Sequence, residues 1–149
     1  MNFHYYSNAL DYITAHLKLA PDDPTVLFNG GCAYLQLKEF DRAIDSLSRI
    51  VTMGTNNPAE LYELALFVRA RAYLGGDQLD KAQQDFETLQ KAHPAAFQPY
   101  YGLGEVAYQR QDTNNAVRNY KLALANTPAN SVEATAILAR LKVLSPGGP

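Results

Sequence analysis

The chain has 149 residues, 47 % of them hydrophobic, which is enough for one domain with a buried core. Its 13 Lys and Arg residues against 15 Asp and Glu residues give a net charge of -2, which argues against a basic groove for nucleic acid. The single cysteine, Cys32, excludes an internal disulfide, and the chain has few ligands for a zinc site. No run approaches the roughly 20 apolar residues of a membrane span. Met1 to Leu10 lacks the apolar stretch of a signal peptide, so we expect a cytoplasmic location.

Apolar residues recur along the chain with the spacing of helices rather than the alternation of strands. Leu27, Gly31 and Tyr34, for example, share one helical face. The spacing predicts eight helices, at residues 2–19, 24–37, 40–53, 58–74, 78–92, 97–110, 113–126 and 131–144.

Start and stop signals lie at the predicted helix boundaries. Asp23-Pro24 and Asn57-Pro58 each place a capping residue before a proline at the first helical position. Asn130 and Glu133 have the spacing of a capping box, with Asn130 as the cap. Gly75-Gly76 can take the left-handed conformation that follows a helix. These signals support the helix assignment.

A period of 34 residues runs through the chain. Tyr6-Ser-Asn-Ala9 recurs 34 residues later as Phe40-Asp-Arg-Ala43, and Leu79-Asp-Lys-Ala82 recurs after the same interval as Thr113-Asn-Asn-Ala116. From Ala43 to Ala82 the interval is 39, so five additional residues lie near Met53 to Pro58. Small residues at fixed repeat positions let two helices approach closely, and large residues fill the remaining space. A period of this length is the signature of a repeat fold.

These positions resemble the tetratricopeptide repeat (TPR) family, whose pattern contains an aromatic residue or Leu, then Leu, Gly or Ala, Tyr, Ala, an aromatic residue and Pro. The best match is Tyr100-x-x-Leu103-Gly104 followed by Ala116, Tyr120, Ala123 and Pro128. The preceding repeat has Arg69 where Leu is usual. The first full repeat has Gly30 at that position and Thr55 in place of the proline.

The resemblance implies an all-α fold, a right-handed α-α solenoid of TPR helix pairs forming one domain over residues 1–144. Its units would be a half-repeat at 2–23, full repeats at 24–57, 58–96 and 97–130, and a terminal helix at 131–144. Residues 145–149 would form a flexible tail rich in Pro and Gly.

In the TPR family, the first helix of each repeat lines a concave groove for partner proteins. Carried over by position, the groove of this chain contains Phe28, Leu35, Leu64, Phe67, Arg71, Leu74, Gln98, Tyr101, Glu105 and Tyr108. Phe28, Phe67 and Tyr101 occupy one equivalent position and would form an aromatic ladder; alternatively, they pack between helices. The resemblance thus predicts a non-enzymatic scaffold that binds a peptide or helical segment of another protein.

The two end helices each match half a repeat. By period, the first helix corresponds to the second helix of a repeat, and the last corresponds to a first helix. We therefore consider an alternative function, head-to-tail association into a homo-oligomer through Tyr6, Ile13, Ile137 and Leu141. The competing interpretation of these ends is an ordinary capping helix on a piece of a longer array.

No combination of residues predicts catalysis. His4 and His16 lie about 120° apart around a helix and do not share a face. Cys32 has no cation nearby along the chain to lower its pKa. Gly102 and Gly104 fall inside a helix rather than after a strand, so they do not form a dinucleotide loop. We expect no catalytic residue, metal or cofactor, and a partner that is a protein rather than nucleic acid or a membrane.

Overall fold

A computed structural model describes residues 3–54 and 58–145, with side chains described from Leu10 onward. Within these ranges all regular secondary structure is helical. The helices are α1 (Phe3–Leu19), α2 (Pro24–Gln36), α3 (Phe40–Met53), α4 (Ala59–Gly75), α5 (Leu79–Ala92), α6 (Phe97–Gln109), α7 (Thr113–Ala125) and α8 (Val132–Leu144). Each predicted boundary lies within one residue of the observed boundary, so the helical periodicity is confirmed.

Capping side chains mark the beginnings of α2 and α8. Asp23 caps α2 as predicted: its Oδ1 accepts hydrogen bonds from the backbone N–H of Thr25 at 2.9 Å and of Val26 at 3.1 Å. For α8 the predicted cap was wrong. Ser131 caps this helix, with its Oγ accepting from the N–H of Ala134 at 3.0 Å.

Asn130 cannot cap α8 because its backbone takes a different conformation from the one that an N-cap requires. Its φ of 65° is left-handed, whereas an N-cap residue has an extended backbone, as Ser131 does. Asn57, the cap predicted for α4, lies outside the described residues.

A left-handed residue that is not glycine follows three of the helices. Lys38 after α2, Asp77 after α4 and Gln111 after α6 have φ values of 60°, 59° and 61°. The expectation that Gly75-Gly76 supplies this conformation was wrong, because Gly76 has a φ of −90°. Gly75 instead permits close packing, since a β-carbon at this position would overlap the ring of Phe40.

The chain divides into two compact units, and the first spans Met1–Ala82. One core cluster of this unit consists of Leu27, Leu47, Ile50, Ala65 and Val68. A β-carbon on Gly31 would lie 2.6 Å from Cγ of Leu47, which is fully buried. The small residue at this repeat position therefore lets α2 and α3 approach closely, as the sequence predicted.

The second unit spans Gln83–Pro149. Its core cluster consists of Ala107, Ala116, Tyr120, Ala123 and Ile137. A β-carbon on Gly104 would lie 2.6 Å from the ring of Tyr120, whose exposed fraction is 0 %. The absence of a side chain at Gly104 on α6 therefore leaves room for the Tyr120 ring on α7.

Candidate functional site

In the first unit, the predicted groove residues lie on α2 and α4, which are in contact. We call the following set the α2/α4 face: Phe28, Leu35, Leu64, Phe67, Arg71 and Leu74. Phe28, Leu35 and Phe67 pack partly against the core cluster, whereas the side chain of Leu64 is 50 % exposed. The two phenylalanines of the predicted ladder thus contact the core while remaining partly accessible.

Arg71 is the only charged residue of the α2/α4 face, and it is exposed. Its guanidinium carbon lies 5.9 Å from the centroid of the Phe67 ring, a cation–π distance. Among the described side chains of the first unit, no carboxylate lies within ion-pair distance of Arg71. The face therefore carries one cation that has no anionic partner among the side chains described for this unit.

Cys32 on α2 is not set up as a nucleophile. Burial raises the pKa of its thiol, and the positive charge of Arg71 only partly opposes that shift. A raised pKa keeps the thiol protonated near neutral pH, which is the less reactive form. This cation could not be found by searching near Cys32 along the chain, because Arg71 lies on α4 and comes near Cys32 only when α4 packs beside α2.

In the second unit, three predicted groove residues converge on a side chain that the sequence analysis did not select, Arg140 of α8. The Nε of Arg140 donates to Oε1 of Glu105 at 2.9 Å, and its Nη2 donates to Oε2 at 3.0 Å. Tyr108 lies beneath the same guanidinium, with its ring centroid 5.6 Å from the central carbon. Tyr101 belongs to the same arrangement. The pKa of Arg140 is raised, and the hydrogen bond between the side chains of Tyr101 and Arg140 is the largest cause.

Tyr120 of α7 is the second residue that the prediction of the site missed. Its hydroxyl donates to Oε1 of Glu105 at 2.8 Å, and its ring lies 5.7 Å from that of Tyr101. Burial, followed by the contact with Glu105, raises the pKa of Tyr120 above its ordinary value. We call Glu105, Tyr120 and Arg140 the Glu105 network. The repeat period was the signal that could have found Arg140: the position 34 residues after Glu105 is Ala139, which precedes Arg140 in the sequence.

The Glu105 network limits what α6 can offer to a ligand. The carboxylate of Glu105 is only 13 % exposed, and both of its oxygens already accept hydrogen bonds. Of the groove residues predicted on α6, Gln98 and Tyr108 are exposed, and Tyr101 is partly buried. Tyr101 and Glu105 therefore have structural contacts within this unit.

The residues predicted for self-association are mostly turned inward. Ile13 and Ile137 are 6 % and 1 % exposed, and Leu141 is partly buried against the core cluster of the second unit. The side chain of Tyr6 lies outside the described residues. Other apolar side chains of the end helices are accessible instead: Tyr12 and Leu19 on α1, and Val132, Leu138 and Val143 on α8.

The described ranges contain no group of three or more His, Cys, Asp or Glu side chains that could hold a metal ion. None of the helices described above is both long and apolar enough to cross a membrane.

Comparisons with known proteins identify the repeat. The tetratricopeptide repeat profile matches residues 5–58 and 67–131, more than half of the chain. The crystal structure of MamA has a TM-score of 0.76 at 18 % identity, covering 93 % of this chain and 76 % of that one.

Two further solved structures carry the same fold. A structure of MamA from residue 41 to its end, from Desulfovibrio magneticus RS-1, has a TM-score of 0.71 at 17 % identity, covering 93 % of this chain and 83 % of that one. The MamA RS-1 ArsTM double mutant has the same TM-score and identity, covering 93 % and 84 %. A search of curated proteins found no significant match. The all-α helices, the repeat profile and these likenesses agree, and the chain belongs to the tetratricopeptide repeat family.

Proposed function

We propose that this chain is a non-enzymatic scaffold that binds a peptide or helical segment of another protein on the first helices of its repeats. The observation that carries the proposal is the α2/α4 face, where the half-exposed Leu64 lies one helical turn from Phe67, and where Phe67 and Phe28 are both partly accessible. Apolar and aromatic side chains surrounded by polar groups are what a bound segment buries most favourably. An amphipathic helix or an extended peptide would gain from this burial.

The two units contribute differently to this proposal. On α6, Tyr101 and Glu105 are held by contacts with α7 and α8, so the accessible residues there are Gln98 and Tyr108. On the α2/α4 face, Leu64 and Arg71 are exposed. We therefore assign the main binding contribution to the α2/α4 face.

Truncation of this face tests the proposal. We expect Phe67→Ala combined with Leu64→Ala to weaken capture of a partner by about tenfold or more, because truncation of a well-packed anchor typically costs more than 1 kcal/mol of binding. The measurement is a pull-down with the immobilised chain, followed by titration of the captured protein. Circular dichroism of each variant verifies that its helices are retained.

The matched control is Leu122→Ala, which removes a leucine that is 38 % exposed on α7, outside the predicted groove. It should capture the same protein as the unmodified chain. Equal capture by the double variant and the control would contradict the proposed role of the α2/α4 face.

A second candidate function is self-association through the end helices, favoured by apolar residues that they leave exposed. On α8, Val132 and Val143 are 83 % and 69 % exposed, and Ala136 and Ala139 lie on the same side of the helix. On α1, Tyr12 and Leu19 are 70 % and 87 % exposed. Because these helices match opposite halves of a repeat, α1 of a second copy would complete a helix pair with α8.

Light scattering distinguishes this candidate. We expect the molar mass of the unmodified chain to rise with concentration, and Val143→Glu to reduce it to that of the monomer, because an apolar interface cannot bury an unpaired carboxylate. Asn114→Glu, which adds the same charge at an exposed site on α7, should behave like the unmodified chain. A monomer mass at every concentration would contradict self-association.

A further inference from the structure

We infer that the α2/α4 face recognises a segment in which apolar side chains flank a single carboxylate, and that Arg71 pairs with this carboxylate. The inference rests on the proposed partner-binding role of the face and specifies the chemistry of the partner. Three features of the first unit support it: the position of Arg71, the apolar residues around it and the distribution of charge along α4.

Arg71 is accessible and already positioned. It has no anionic partner among the described side chains of its unit, and its guanidinium lies over the Phe67 ring at 5.9 Å. Contact with the ring restricts a long side chain before binding, so less conformational entropy is lost when a ligand arrives. A guanidinium offers a planar pair of donors that matches the two oxygens of a carboxylate.

The surroundings of Arg71 are apolar. Leu64, Phe67 and Leu74 lie on its side of α4, seven and four residues before it and three residues after it. The neighbouring helix α2 contains no Lys, Arg, Asp or Glu. A basic side chain of the partner would face the positive charge of Arg71, and α2 has no acidic side chain to compensate. An acidic side chain of the partner would instead be neutralised by Arg71.

The positions of Leu64, Arg71 and Glu60 along α4 predict the spacing of the anchoring side chains of the partner and the orientation in which the partner binds. Leu64 and Arg71 are about 10 Å apart along the helix axis, which corresponds to two helical turns of a bound segment. Glu60 is exposed and lies on the same side of α4, roughly 16 Å from Arg71 along the axis. An acidic side chain of the partner is therefore favoured at the Arg71 end and disfavoured at the Glu60 end.

Selection from a displayed library of random peptides tests this inference, because the library covers every candidate sequence and requires no named partner. On the unmodified chain we expect enrichment of peptides with one Asp or Glu flanked by Leu, Ile or Phe. Arg71→Glu should instead enrich Lys or Arg at that position. Arg118→Glu reverses an exposed charge on α7 and should select the same peptides as the unmodified chain.

One of the enriched peptides is then synthesised, and its affinity for the chain measures the size of the effect. Replacing its acidic residue by the matching amide should weaken binding to the unmodified chain by about tenfold or more. The same replacement should change binding to Arg71→Gln by less than about threefold. Circular dichroism would detect a folding defect in Arg71→Glu, and Arg71→Gln would then replace it as the variant that lacks the positive charge.

The outcomes separate the two proposals. Peptides enriched without an acidic residue, or an equal loss on Arg71→Gln, would overturn the role of Arg71 and leave the binding face in place. Failure to enrich any peptide would overturn the inference. If the pull-down were also insensitive to Phe67→Ala with Leu64→Ala, the proposed function itself would fail.

Discussion

Replacing Glu105 by alanine is expected to lower the free energy of unfolding by about 2–3 kcal/mol. The change leaves the fully buried Tyr120 without the acceptor for its hydroxyl and Arg140 without its paired carboxylate. Arg140 is 42 % exposed, so water compensates part of its loss, and the expected decrease lies below that for a fully buried ion pair. Urea unfolding followed by circular dichroism measures the effect.

Two further variants attribute the loss to the Glu105 network. Tyr120→Phe removes one hydrogen bond and leaves the ion pair, so we expect a smaller decrease of about 1 kcal/mol. Arg140→Met combined with Glu105→Ala should cost less than the sum of the single changes, since the two side chains interact directly. Strictly additive effects would show that the ion pair does not contribute to stability.

Alkaline pH acts on the same network. The pKa of Tyr120 is raised in the folded chain above its ordinary value of 10.0, so the unfolded state loses this proton first. The contribution of Tyr120 is therefore complete below pH 10.0 and decreases as the pH rises further. Tyr120→Phe should remove this part of the pH dependence, which the same urea titrations at about pH 9 to 11 would show.

Gly31→Ala is expected to destabilise the chain and Gly30→Ala is not, although the two substitutions alter adjacent residues of one helix. The β-carbon added at Gly31 would lie 2.6 Å from Cγ of Leu47, which is fully buried and has little space to move. We expect the free energy of unfolding to fall by about 1–3 kcal/mol, the usual range for overpacking.

At Gly30 the atom nearest to the added β-carbon would be Cγ2 of Ile13, at 3.2 Å, and Cε2 of Tyr34 would lie at an ordinary contact distance of 3.9 Å. A small displacement of the Ile13 side chain relieves the closer contact. Alanine is favoured over glycine inside a helix by about 1 kcal/mol, so we expect Gly30→Ala to be neutral or to stabilise by up to about 1 kcal/mol. Thermal and urea unfolding compare the pair, and a similar loss for both would show that helix packing does not distinguish the two positions.

The sequence predicted those parts of the structure that depend on neighbouring residues. Periodic apolar residues located each of the helices that the structure describes. Asp23 before Pro24 identified the start of α2 because cap and helix are adjacent in the chain. The start of α8 was harder to predict. Asn130 and Ser131 are both good capping residues, and the choice depends on which of them takes the left-handed backbone.

Contacts between helices that are distant in the sequence were less accessible to prediction. The pairing of Glu105 with Arg140 depends on how α8 packs near α6, which periodicity does not specify. The apolar residues of α8 fall on two stripes of the helix, and periodicity alone does not show which stripe meets the core. The structure buries Ala134 and Ile137 and exposes Val132 and Val143.

The Glu105 network has a consequence for how the second unit opens. Helices that are held by few contacts generally fray first. Here the carboxylate of Glu105 on α6 accepts hydrogen bonds from Tyr120 of α7 and from Arg140 of α8. Release of α8 therefore removes Arg140 from the same carboxylate that binds Tyr120. The amide protons of these three helices should therefore exchange with solvent as one cooperative group, without separate fraying of α8.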